Sequence, residues 1–242
     1  MRPGLLTQCG DSSVPSPEVS NADIRAEIKA VSDGSGTISV HGTLYEDSSG
    51  RTLELKSSEM LIVSQNRNTE ALFGLKYNLW QRSEDNAEVA TLQSSEDDDS
   101  YSYIGIFYQQ KLNDLFYISF VRTADRSVLN SEVTLPNPFQ ILSPGSGQTF
   151  SRSDGAINVT WDSSGTADDM QIEVDSVCPL HHWQRIEDNG NYPLLLGTSQ
   201  QESCTVTIVL NRIRPGLVAA EFGKGGYIHG LQQRSVSIIS VP

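Results

Sequence analysis

Three cysteines and four histidines are the residues of this chain best suited to covalent, metal or proton-transfer chemistry. Cys178 and Cys204 stand 26 positions apart; the first follows the alternating run 170–177 and the second opens the run 205–210. If those runs are neighbouring strands, a disulfide between their ends is geometrically reasonable. Closing a loop of that size stabilises by about 3–4 kcal/mol in the chain-entropy view. Two free thiols, or a zinc site with the nearby His181 and His182, are the competing readings. Zinc sites space their ligands as Cys-x2–4-Cys or His-x3–5-His; neither spacing occurs, so no metal ligand is assigned. A persistent disulfide would imply an oxidising compartment. Cys9 is then the odd sulfur.

No nucleophile, base and acid share a recognisable motif. There is no Gly-x-Ser-x-Gly elbow and no His-Glu-x-x-His. His41 stands opposite the apolar members of its strand pattern and is expected to be exposed. His181 and His182 read as a loop, and neighbours on an extended chain face apart. His229 is expected at a sheet edge. The clusters Gly145-Ser146-Gly147 and Gly223-Lys224-Gly225-Gly226 lack the spacing of a phosphate loop and read as turns. Glu96-Asp97-Asp98-Asp99 lacks the turn glycine of a calcium loop and reads as a solvated hairpin tip. No catalytic residue and no cofactor are assigned.

The best binding candidate is aromatic. Tyr101, Tyr103, Phe107, Tyr108, Phe116, Tyr117 and Phe120 crowd two adjacent strand patterns. Tyr101 and Tyr103 share a parity with Phe107, and Tyr108 faces the other way. On a wet face Tyr101, Tyr103 and Tyr108 could stack sugars or meet a protein partner; the alternative is cross-strand core packing. Arg122 and Arg126 close the segment as surface or interdomain ion partners.

The elements that must position these groups are strands. Ile24, Ala26, Ile28 and Ala30 alternate with polar residues, as do Ile38, Val40, Gly42 and Leu44. The same holds for Ala71–Leu79, Ile157–Trp161, Ile172 and Val174, Val206–Leu210, and Val236 and Ile238. A period of two buries one face of a sheet and wets the other. Asp/Asn/Gly turns between short strands point to antiparallel sandwiches. Residues 10–22 contain two prolines and no apolar period, and are expected to form a flexible tether. Leu135-Pro136-Asn137-Pro138 and Ser143-Pro144-Gly145 mark a boundary near 136–144. The expected organisation is a tether over 1–20, a β-sandwich over 21–136 and a second over 137–242.

Thirty Asp and Glu against 17 Lys and Arg give a net charge of −13, with no basic block. That excludes phosphate-backbone binding, which needs clustered Lys and Arg, so no nucleic-acid partner is expected. No run reaches the ~20 apolar residues of a membrane-spanning helix.

Two resemblances add to this. Leu5-Leu6-Thr7-Gln8-Cys9-Gly10, followed by the Ser/Pro stretch, resembles the processing site of bacterial lipoproteins, implying lipidation at Cys9 and a membrane anchor. Gln8 departs from the small residue usual there, and Met1–Leu6 is shorter than a signal's apolar core. Leu135–Phe139, Ile157–Trp161, the two later cysteines, Asn211–Gly216 and Phe222–Gly226 resemble a group of bacterial lipoproteins and secreted proteins with two β-sandwich domains. The resemblance implies an envelope location and an Ig-like or fibronectin-like sandwich with Trp161 in its core, and carries no activity. The expectation is therefore a non-enzymatic, all-β, extracytoplasmic protein with a protein or glycan partner. A carbohydrate-binding module, and then a hydrolase without a motif, are the alternatives.

Overall fold

The computed structural model describes residues 13–56, 59–65, 89–91, 93–97, 100–108, 115–123, 125–165, 168–176, 182–197 and 203–242. They form strands and single 3-10 turns, and no α-helix occurs among them. The expected strand over 71–79 lies outside the described residues.

Alternation builds the longest strands. In β2 (Ile24–Ser32) every second residue is buried, and β3 (Thr37–Glu46) repeats the pattern along most of its length. In β14 (Asp169–Ser176) Met170, Ile172 and Val174 point inward. In β17 (Cys204–Pro215) the inward set runs from Cys204 through Val206, Ile208 and Leu210 to Arg212. The last strand, β18 (Tyr227–Val241), has 15 residues and buries Ile228, Gly230, Gln232, Val236, Ile238 and Ser240.

These strands join into one eleven-stranded sheet. Its path runs β1 (Ser13–Pro15), β4 (Thr52–Glu54), β3, β2, β18, β17, β14 and β15 (His182–Ile186). β8 (Ser100–Tyr108) pairs with β3, β7 (Gln93–Asp97) with β8, and β12 (Thr149–Ser151) with β18. Two smaller sheets cover the same face at opposite ends. One is β10 (Val128–Thr134), β9 (Leu115–Val121), β5 (Met60–Gln65) and β6 (Val89–Thr91). The other is β11 (Ile141–Ser143), β13 (Ile157–Trp161) and β16 (Asn191–Leu194). The all-β, predominantly antiparallel architecture is the one expected, but β1–β4, β12–β18 and β18–β2 pair in parallel.

Each small sheet closes a core against the long one. The first core gathers Ile24, Ile28, Val40, Phe107, Phe116 and Phe120, and also Ala219, Phe222 and Ile228 from far along the chain. The second gathers Phe139, Val159, Trp161, Ile172, Ile208 and Ile238. Trp161 lies in that core, as the resemblance implied. β18 serves both cores: Tyr227–Gln232 pair with Glu27–Ser32, while Pro215 to Cys204 pair antiparallel with His229 to Ser240.

The flexible tether expected over 10–22 is corrected from residue 13 onward. Ser13–Pro15 pair with Thr52–Glu54, and Val14, Ser16, Val19 and Asn21 are buried. Two isolated valines give no periodic signal, but polar anchors fix the segment. Arg122, expected at the surface or between domains, is buried; its Nε donates to Glu59 Oε1 at 2.9 Å and its Nη1 to Asn21 Oδ1 at 2.7 Å. Its Nη2 donates to the carbonyls of Ser16 and Val19 at 2.6 and 2.9 Å, and Ser16 Oγ donates to Glu59 Oε2. Residues 1–12, Cys9 included, lie outside the described residues.

Candidate functional site

The densest polar constellation sits where the chain passes from β10 to β11. Pro136 and Pro138 supply no N–H, so this stretch offers mainly carbonyls, and buried carbonyls need donors. The hairpin of β17 and β18 supplies them. The Leu135 carbonyl accepts from Arg214 Nη1 at 3.1 Å and the Pro136 carbonyl from Gln232 Nε2 at 3.2 Å. The Asn137 carbonyl accepts from Arg212 Nη1 at 2.8 Å, with the Pro138 carbonyl at 3.4 Å from the same nitrogen. The guanidinium carbons of Arg212 and Arg234 lie 4.8 and 5.5 Å from the Phe139 ring centre. Arg234 Nη1 also donates to the Ser32 carbonyl at the end of β2. A Cβ on Gly230 would meet the Thr134 carbonyl oxygen at 2.3 Å, so only glycine lets β18 and the crossing chain approach this closely.

Arg212 is fully buried and paired with Asp188, Nε to Oδ2 3.0 Å. Its Nη2 donates to the Asp162 carbonyl at 2.6 Å and to Asp188 Oδ1 at 3.1 Å. Asp188 also accepts from Trp161 Nε1 at 2.8 Å and Ser164 Oγ at 2.7 Å. Burial pushes the Asp188 carboxyl up, but donors from Ser164, Arg212 and Trp161 together outweigh it and hold its pKa below the usual carboxylate range. Arg214 forks onto Asp168 with two 2.8 Å bonds. Such buried pairs fix one arrangement more than they add net stability. Chemically, this is a clamp: its cations are engaged by fixed carbonyls and carboxylates.

The expected stacking platform is corrected at Tyr103. Tyr103 is 3% exposed; its hydroxyl donates to the Leu53 carbonyl and accepts from Leu55 N–H, both at 2.8 Å. Burial pushes its pKa up to about 12. Tyr101 is half-buried and packs on the first core. Tyr108 pairs with Thr37, and its side chain lies outside the described residues. Phe107 and Phe116 meet edge to face at 5.4 Å in the core. The three tyrosines thus make no shared wet face.

Cys204 is buried at the start of β17, with Arg152 Nη2 at 3.4 Å from its sulfur. Cys178 and His181 lie outside the described residues. His182, read as a loop residue, pairs with Val174 in β15 and stacks on Tyr192 at 6.3 Å. His229, read as an edge residue, lies inside the sheet between β17 and β2. His41 is exposed as expected. Among the described residues no three His, Cys, Asp or Glu converge as metal ligands. Among the described residues, the outer face of the long sheet carries His41, Lys29, His229 and the 60% exposed Trp183, with Leu231 and Asn211 buried on the same side. Trp183 gave no sequence signal beyond its type.

No protein-family model matches the chain, and no curated protein sequence matches it. Among solved structures it is similar to the FN1–FN3 domains of chicken CNTN1, at 10% identity and TM-score 0.28, over 93% of this chain and 67% of that one. It is also similar to the I67–I69 fragment of the titin I-band, at 7% identity and TM-score 0.25, over 90% of this chain and 64% of that one. A third is CBD12 from CALX1.2, at 9% identity and TM-score 0.22, over 81% and 82%. With TM-scores this low, the fold assignment stands on the strand pairing itself.

Proposed function

We propose that this chain is a non-enzymatic structural or interaction module of a bacterial envelope, extracytoplasmic, with Cys178 joined to Cys204 and Cys9 as a lipid anchor. The observation that carries the structural part is the continuous β18, which contributes to both cores, together with the clamp on residues 135–139. Two lobes built on one sheet resist hinging, as suits a spacer or a rigid display surface rather than a cleft that opens on a substrate.

The disulfide is supported by register. Ser176 pairs with Val206; Cys178 follows Ser176 by two residues in sequence, and Cys204 precedes Val206 by two. The described ends of β14 and β17 that lead toward the two cysteines are therefore neighbours, which is the condition the pairing requires. The test is fractionation and peptide mapping without reduction, on protein expressed from its complete reading frame in a bacterium. A linked 178–204 peptide in the envelope fraction, with lipid on Cys9, supports the reading. Three alkylatable thiols in the cytosol overturn the location, and turnover on a hydrolase panel overturns the non-enzymatic assignment.

A further inference from the structure

Between β15 and β16 the chain turns through Asp188, Asn189 and Gly190, the one Asn-Gly step in the sequence. Asn189 is exposed, and Gly190 sits at φ +84°. The Asn191 N–H donates to Asn189 Oδ1 at 3.0 Å. That bond folds the side chain back over its own peptide, as an Asx turn does, and brings the amide carbon Cγ beside the Gly190 nitrogen. The Gly190 N–H donates to no acceptor among the described residues. Glycine also has no Cβ to hinder approach at that nitrogen. Electrophile, nucleophile and solvent therefore meet in one exposed turn.

We infer that Asn189 is a site of self-modification: it deamidates through a succinimide, and the product loosens the clamp formed by Asp188 and Arg212. The Gly190 nitrogen attacks Asn189 Cγ and gives up its proton; the Cγ–Nδ2 bond breaks and ammonia leaves. Water then opens the ring at either carbonyl, giving aspartate or isoaspartate, with no oxidant or cofactor. The same criteria set aside the other described asparagines that precede a small residue. Asn21 is buried, its side chain held by Arg122 Nη1 and the Arg126 carbonyl. Asn130 lies within β10, where the following Ser131 is buried and pairs with Ile118. Asp33-Gly34 makes the same turn, with the Ser35 N–H donating to Asp33 Oδ1 at 2.8 Å. A carboxylate has no ammonia to lose, and the Ser35 donors keep this one ionised by lowering its pKa.

The consequence follows from what the turn holds. The Trp161 main-chain N–H donates to the Gly190 carbonyl at 3.1 Å, and its Nε1 donates to Asp188 Oδ1 at 2.8 Å. Trp161 is thus held at both ends of the turn. Isoaspartate runs the backbone through the former side chain and inserts a methylene between positions 189 and 190, so the two contacts cannot both keep their places. Either product also sets a second carboxylate next in sequence to Asp188, and like charges this close disfavour one another. The inference depends neither on the location of the chain nor on its reading as a spacer.

The experiment incubates the whole folded chain at about pH 6 and about pH 8, beside a sample unfolded in urea, and follows ammonia release and the gain of about 1 Da by peptide mapping. Asn189 should be modified before any other asparagine, and faster at the higher pH because the attacking nitrogen must lose its proton. A site that reacts only after its turn opens is slowed by the opening equilibrium, so the folded rate should lie within about tenfold of the unfolded one. Asn189→Gln, which must close a larger ring, should stay unmodified at that position. The deamidated chain should unfold at a urea concentration about 0.5–2 M below that of the fresh chain. Asn189→Asp, which adds the charge without the methylene, should lose less. Another asparagine reacting first, a folded rate more than about tenfold below the unfolded one, or an unchanged urea midpoint in the fully deamidated chain overturns the inference.

Discussion

Replacing Arg212 by Met keeps much of the side chain's length and removes its charge. The Asp188 carboxylate, whose side chain is 3% exposed, then loses its cation, and the carbonyls of Asn137 and Asp162 lose donors. Removing one partner of a buried ion pair costs about 3–5 kcal/mol. With a urea slope of roughly 1–3 kcal/mol/M, the unfolding midpoint should fall by about 1–5 M. Asp188→Asn is the milder perturbation: it keeps one acceptor oxygen and loses the charge, for about 1.5–3 kcal/mol. Because the two residues touch, a double-mutant cycle should return a coupling of about 1–3 kcal/mol. The pH dependence follows from the lowered pKa of Asp188. Its contribution is complete above the unfolded carboxyl value of about 3.9 and disappears as pH falls through the lower folded value. Urea titrations of wild type, both single variants and the double variant, repeated down that acid limb, provide the measurement. An Arg212→Met cost under ~1 kcal/mol, additive single effects, or an acid limb unchanged in Asp188→Asn would refute the clamp.

Other perturbations address neighbouring parts. Tyr103→Phe leaves the Leu55 N–H and the Leu53 carbonyl without their hydroxyl partner, and should cost about 1–3 kcal/mol in urea unfolding. Gly230→Ala sets a methyl against the Thr134 carbonyl and should lower stability by about 1–3 kcal/mol as overpacking does, measured by thermal melting. Arg122→Met frees the carbonyls of Ser16 and Val19. Limited proteolysis should then cut within residues 13–23, which stay protected in the wild type.

Much of the strand framework was legible because one buried face forces a period of two. Ile24–Ala30, Ile38–Leu44, Ile157–Trp161 and Val206–Leu210 all fall where their alternation puts them. The reach of β18 was not, because its inward face turns polar where it meets the crossing chain: Gly230, Gln232 and Arg234 break the apolar signal. The prolines at 136 and 138 announce a passage between elements, but not that arginines more than 70 residues away would bind its carbonyls. The parity of Tyr101, Tyr103 and Phe107 was right, yet parity alone does not say which face is wet; the buried Phe107 decides it. The segment 13–22 looked like a tether because its anchors, Ser16 and Asn21, are polar and meet Arg122 about a hundred residues on.

Native-state hydrogen exchange along β18 is the most direct measurement of the claim that both lobes are one unit. Amides of residues 228–232, paired with β2, and of 236–240, paired with β17, should open with the same free energy and the same denaturant dependence. Arg212→Met should lower both sets together. Two separate opening free energies in the wild type, or a variant that loosens residues 236–240 alone, would contradict it.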